Sequence, residues 1–126
     1  MPRNTFKKEE RLTNKQTIEK LFSTGKSINS PAFKLIWKEL AGSKLPAQIL
    51  ISVPKKSFRG AVARNRIKRK IREAYRKNKH ALYEILNKKH LSVVMALVYT
   101  EKEELTYSAI EKNMLLSLQK VTSKYS

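Results

Sequence analysis

The chain has 126 residues, 40% of them hydrophobic, ten of them aromatic, and a formal net charge of +18. That apolar fraction excludes disorder along the whole length and suits one domain with a modest core. The lack of cysteine excludes a disulfide framework and any thiolate metal site, and the charge calls for a polyanionic partner.

Residues 1–10 are charged and without periodicity, as expected of a flexible basic arm. "LTNKQTIEKLFSTG" then starts a helix, with Thr13 as N-cap and Gln16 completing a capping box. Ile18, Leu21 and Phe22 share a face, and Gly25 suits the C-terminal cap. "SPAFKLIWKEL" reads as a strand, Phe33, Leu35 and Trp37 on one side and Lys34 and Lys38 on the other. After the turn "AGSKLP", residues 47–53 alternate as a second strand, ended by Pro54.

A basic loop, "KKSFRG", leads into the helix "AVARNRIKRKIREAYRKNK". Residues 80–89 either extend that helix or form a separate turn. "LSVVMALVY" is continuously apolar, as in a strand buried on both faces, and is half the length needed to span a bilayer. A last helix starts at Thr106, with Ile110, Met114, Leu118 and Val121 as its stripe. One domain is expected over 11–121, with a frayed tail over 122–126. The order is helix, two strands (three if one bends), long helix, strand, helix, which is α+β. With no secretory signal pattern in "MPRNTFKKEERL" and no membrane span, a cytoplasmic location is expected.

At about 100° per residue, Ala63, Ile67, Ile71, Ala74 and Tyr75 of the basic helix fall on one face. Arg64, Lys68, Arg72, Asn65, Arg76 and Arg69 lie on one flank and the far side. Arg66, Lys70 and Lys77 lie on the other flank, with Glu73. Residues 55–79 hold twelve Lys or Arg against that single acid, +11 of the chain's +18. Like charges at i,i+4 destabilise a helix by about 0.2–0.5 kcal/mol per pair, a cost that a merely solvated face avoids by mixing signs. Arginine's planar fork suits phosphate oxygens, and Asn65 could read a 2′-hydroxyl or base edge.

Other classes fit less well. A membrane-surface helix would carry bulky Trp, Phe and Leu opposite its charges, and this one does not. A DNA-reading helix would need a partner helix or dimer element, and none is evident. All ten acids are glutamate and the only histidines are His80 and His90, poor material for acid–base or two-metal catalysis.

"SVPKK" followed by "AVARNRIKRKIREAYR" resembles the signature of the bacterial ribonuclease P protein subunit, carried here by Arg64, Asn65, Arg66, Lys68, Arg69, Arg72 and Glu73. "RLTNKQTIEKLFSTGKSINSPAF", "LSVVMALVY" and "LTYSAIEKNMLLSLQK" look like the family's first helix, last strand and closing helix, so the resemblance covers roughly residues 11–120.

It implies a small α/β sandwich with one mostly antiparallel sheet of about four strands, three helices and a left-handed βαβ crossover. It also implies that domain 11–121 binds ribonuclease P RNA, which with its Mg²⁺ cleaves the 5′ leader from precursor tRNA. The protein would be an accessory subunit of this endoribonuclease with no active site, no metal of its own and no need of a protein partner. RNA docking would fall to Arg64, Asn65, Arg66, Lys68, Arg69, Arg72 and Arg76. A cleft of Ile18, Phe22, Phe33, Ser52, Lys55 and Lys56 would hold the single-stranded leader, by stacking and backbone neutralisation.

Three departures stand out. Ile18 and Ile36 replace frequent aromatics, and the loop before the basic helix is one residue longer. A structural RNA-binding protein of ribosomal type would explain the charge equally well, but not the ordered Arg-Asn-Arg helix beside a basic, aromatic-lined sheet.

Overall fold

Strands that bury alternate residues and helices that bury one stripe must stack in layers, and this chain stacks three. The computed structural model describes residues 6–126. Strands β1 (Lys26–Asn29), β2 (Phe33–Glu39), β3 (Ala47–Ser52) and β4 (Val93–Tyr99) form one sheet in the order β1-β2-β4-β3. β1–β2 and β2–β4 are antiparallel and β3–β4 is parallel. Helix α1 (Lys15–Thr24) covers one face; α2 (Ala61–Asn78), α3 (His80–Lys88) and α4 (Tyr107–Tyr125) serve the other. Parallel strands need a long connection, and α2 with α3 supplies the βαβ crossover.

Register sorts the side chains. Phe33, Leu35 and Trp37 of β2 lie opposite Tyr99, Leu97 and Met95 of β4. Together they bury the stripe Ile67, Ile71, Ala74 and Tyr75 of α2 and Ile110, Met114, Leu118 and Val121 of α4. Ile36, Val94 and Ala96 face the other way, under Leu21 of α1 and Leu12. β4 is therefore covered on both faces, as its unbroken apolar run requires.

Several expectations change in detail. The N-cap of α1 is Asn14, whose Oδ1 accepts from the Thr17 amide at 3.0 Å, not Thr13. There are four α-helices rather than three, because the chain breaks at Lys79 and α3 is separate. α3 ends with His90 left-handed (φ 57) while the Leu91 amide donates to the Leu86 carbonyl at 2.9 Å, so this histidine has a capping role. α4 runs on through the tail to Tyr125, whose hydroxyl accepts from Trp37 Nε1 at 3.2 Å.

Of the basic arm expected over 1–10, residues 1–5 lie outside the described residues and residues 6–10 pack on the domain. Lys8–Glu10 form a 3-10 turn, and Phe6 meets the Tyr75 ring edge-on at 5.7 Å. The segment then straps the open edge of β3. Arg11 bridges Ile49, the Leu12 amide donates to the Ile49 carbonyl at 2.9 Å, and Gln48 Nε2 donates to the Glu9 carbonyl at 3.0 Å.

Gly25 is required by contact rather than by its φ of −72°. A Cβ there would lie 2.4 Å from the Leu21 carbonyl oxygen and 2.8 Å from Ile36 Cγ2. Gly25→Ala is expected to destabilise the fold by about 1–3 kcal/mol, read from urea unfolding, since backbone must shift to admit the methyl.

Candidate nucleic-acid interface

The α1 face of the sheet carries three cross-strand rows: Lys38–Val94–Gln48, Ile36–Ala96–Leu50 and Lys34–Val98–Ser52. Lys38 Nζ donates to Thr24 Oγ1 at 2.5 Å, so the Thr24 flank of α1 lies over the first row. Ile18 and Phe22, one turn apart, project from the opposite flank, with Ile18 packed against the Leu21, Ile36, Val94 and Ala96 cluster. Phe22 is 48% exposed and Ile18 half-buried, with Lys34 exposed and Ser52 and Val98 half-buried below. The α1 face thus presents an exposed aromatic and an exposed cation among half-buried apolar side chains. Lys55 and Lys56 are exposed on the turn that follows β3.

Phe33 is not on that face. It is 1% exposed on the opposite face of the sheet, edge-on to Tyr99 at 5.9 Å, and is a core residue. Alternation groups Phe33 with Leu35 and Trp37, but in a sheet covered on both faces it could not say which face that set takes. Lys34 and Val98 were missed for the same reason; their parity with Ile36 becomes informative once Ile36 is known to lie under α1.

Helix α2 sorts its charges by flank. On the α4 side, Glu104 Oε1 accepts from Arg66 Nη2 at 2.6 Å and Glu104 Oε2 from Lys70 Nζ at 2.9 Å. On the helix itself Glu73 pairs with Arg76 and, at 3.8 Å, with Lys77. Arg66 and Arg76, both expected to contact RNA, are thus held by carboxylates. Hydrogen bonds from Arg66 and Lys70 pull the Glu104 carboxyl down to about 2.

The other flank is different. Arg64, Lys68, Arg69 and Arg72 form no carboxylate pair among the described residues. Arg64 Nη1 donates to the carbonyls of Phe58 and Arg59 at 2.7 and 2.8 Å, tying the basic loop to the first turn of α2. Asn65 and Arg69 are exposed. Lys68 and Arg72, one turn apart, line a cleft of about 170 Å³ against the strap, with Phe6, Arg11, Thr13 and Leu50. Partial burial first, then the charges of Arg11 and Arg69, push the Arg72 guanidinium below its usual value. Like charges gathered without an acid are an unmet demand for an anion. Arg11 was missed because only the strap, a non-local contact, brings it to α2.

Leu50 belongs to this cationic cleft and also to the sheet row beside Ser52, so the two surfaces adjoin across β3. Among the described residues no three His, Asp or Glu side chains gather where they could hold a metal ion, and no helix is long and apolar enough to cross a membrane.

The family model described as Ribonuclease P matches residues 6–122. The chain belongs to the ribonuclease P protein family. Its role is that of a protein component of that ribonucleoprotein nuclease, in tRNA processing. A ribonuclease P protein component of Porphyromonas gingivalis is 35% identical over 117 residues, covering 90% of this chain and 84% of the relative. One from Chlorobium phaeobacteroides is 42% identical over 84 residues, covering 64% and 58%. The fold recurs in the RNase P protein of Staphylococcus aureus, with a TM-score of 0.70 at 22% identity over 93% of this chain and 98% of that one. The Thermotoga maritima RNase P protein gives 0.69 at 22% identity over 87% and 96%. The sequence resemblance and the α+β architecture thus agree with the family, down to the four-stranded sheet.

Proposed function

We propose that this ribonuclease P protein docks on the catalytic RNA of the particle through Arg64, Asn65, Lys68, Arg69 and Arg72, with Arg11 completing the surface. The neighbouring cleft of Ile18, Phe22, Ser52, Lys34 and Val98, reached by Lys55 and Lys56, holds the single-stranded 5′ leader of precursor tRNA. The carrying observation is the carboxylate-free flank of α2, set beside the α1 face of the sheet, whose exposed aromatic can stack on a base.

The hydrolysis belongs to the RNA. Mg²⁺ takes hard oxygen ligands, which the phosphates of the RNA supply. The protein's own part is to neutralise phosphates, seat the leader and so lower the Mg²⁺ needed for folding and cleavage. It works in the cytoplasm without a further protein partner.

Cleavage of precursor tRNA at low Mg²⁺ tests this directly. A bacterial ribonuclease P RNA should cut at the mature 5′ end only when the protein is added, and the protein alone should do nothing. Phe22→Ala should weaken precursor binding by about 1 kcal/mol or more, roughly fivefold, and leave mature tRNA binding unchanged. Tight RNA binding with no rescue of cleavage at any Mg²⁺ concentration would sink the proposal.

A further inference from the structure

Glu104 presents to Arg66 the same forked geometry that a phosphate would. Arg66 Nε donates to Oε1 and Oε2 at 2.9 and 2.8 Å, and Nη2 donates to Oε1 at 2.6 Å. Lys70 Nζ donates to Oε2 and to the Leu105 carbonyl, each at 2.9 Å. Paired carboxylate and guanidinium forks are the strongest form of this contact.

The carboxylate is also held in place. The loop between β4 and α4 is pinned on both sides of Glu104 by the buried Tyr99, whose hydroxyl donates to the Glu103 carbonyl at 2.6 Å and accepts from the Leu105 amide at 3.1 Å. A pre-positioned partner loses less side-chain entropy on pairing than two free surface chains do. The same loop also carries Glu101 and Glu103, with Lys102 between them. Among the described residues, Lys68, Arg69 and Arg72 meet no carboxylate.

We infer that Glu104 is a built-in phosphate mimic that takes Arg66 and Lys70 out of RNA contact and confines docking to the Lys68–Arg72 flank of α2. Its effect is on selectivity. Two more free cations would add sequence-independent affinity for any RNA, whereas a single open flank rewards only an RNA shaped to meet it. The inference rests on the docking surface proposed above.

The test measures affinity against salt for the full chain, with ribonuclease P RNA and with an unrelated RNA duplex as probes. Arg66→Ala alone should change the slope of log K on log salt by less than about 0.3, where a phosphate contact is worth about 0.7–0.9. Glu104→Gln should steepen the slope by about 1–2 and tighten the unrelated duplex at least about fivefold, with a smaller gain for ribonuclease P RNA. Adding Arg66→Ala to Glu104→Gln should take back close to about 0.9.

The inference is overturned if Arg66→Ala alone flattens the slope by a full contact. It is equally overturned if Glu104→Gln leaves the slope unchanged or weakens binding while the melting temperature holds. Lys68→Ala separates the two levels. A slope that it too leaves untouched removes the docking surface itself, and the role of Glu104 with it.

Discussion

Lys79→Met will cost the fold about 3–5 kcal/mol. Lys79 is 3% exposed and Glu10 5% exposed, and they pair at 2.6 Å. Tyr83 donates its hydroxyl to the same Glu10 oxygen at 2.7 Å and shares a hydrogen bond with the Tyr75 hydroxyl at 2.8 Å. The Lys7 amide donates to the other oxygen at 3.2 Å. Removing the ammonium leaves a charged carboxylate in an apolar setting, and the penalty is that of an uncompensated buried charge rather than of one lost contact. The double variant Glu10→Gln, Lys79→Met should recover part of the loss, because it removes both charges together.

The pH response gives this prediction a sign. Burial works to raise the Glu10 carboxyl, but the hydrogen bonds from Lys79, Tyr83 and Lys7 outweigh it and hold it below its usual 4.5. A depressed folded value means stability that is complete above the unfolded value and is lost as pH falls below it through the folded one. The contribution of Glu10 is therefore flat between pH 7 and 5. In Lys79→Met burial wins, the folded value rises above the unfolded one, and stability should improve as pH is lowered from 7 to 5. Urea unfolding at the two pH values decides it. A variant that loses less than about 1 kcal/mol, or one equally stable at both, would show that water relieves the carboxylate. Since Glu10 also holds the strap, the same variant should loosen Arg11 from its place beside Arg72.

Much of this arrangement was legible in the sequence where a period was long enough to count. The eighteen residues of α2 span five turns, so Ile67, Ile71, Ala74 and Tyr75 declare the buried face and leave no freedom for the charges. Short or polar elements give no such count. β1 is four residues, "KSIN", paired on one side only, and its conformation is set by β2 rather than by its own composition. The break at Lys79 has no glycine or proline to announce it. Its cause is tertiary, since the ammonium turns inward to a glutamate 69 residues away. The flank assignment on α2 was likewise out of reach. Helical spacing places Arg66 and Lys68 on different sides but says nothing of Glu104, which arrives through a loop 38 residues on. Spacing shows where charge is presented; only the fold shows which of it is already answered.

Raising salt from 50 to 200 mM should weaken binding to ribonuclease P RNA by about 10²–10³-fold, because the docking flank holds five cations that pair with no carboxylate among the described residues. Arg11, Arg64, Lys68, Arg69 and Arg72 each meet one phosphate in this account, and releasing the counterions of five phosphates gives a slope of about −3.5 to −4.5. Lys68→Ala and Arg72→Ala should each flatten it by about 0.7–0.9. Arg72→Ala should have the larger effect on affinity. Its guanidinium sits partly buried among Arg11 and Arg69, so an arriving phosphate relieves repulsion as well as gaining a contact. Arg76→Ala is the control on the same helix. Its charge is spent on Glu73, so the slope should stay within about 0.3 of the unaltered protein. Equal slopes for all three substitutions would mean that the helix acts as a diffuse cloud of charge. Loss at Lys68 and Arg72 but not at Arg76, one turn from Arg72, would mean that the RNA meets only those cations of α2 that no carboxylate answers.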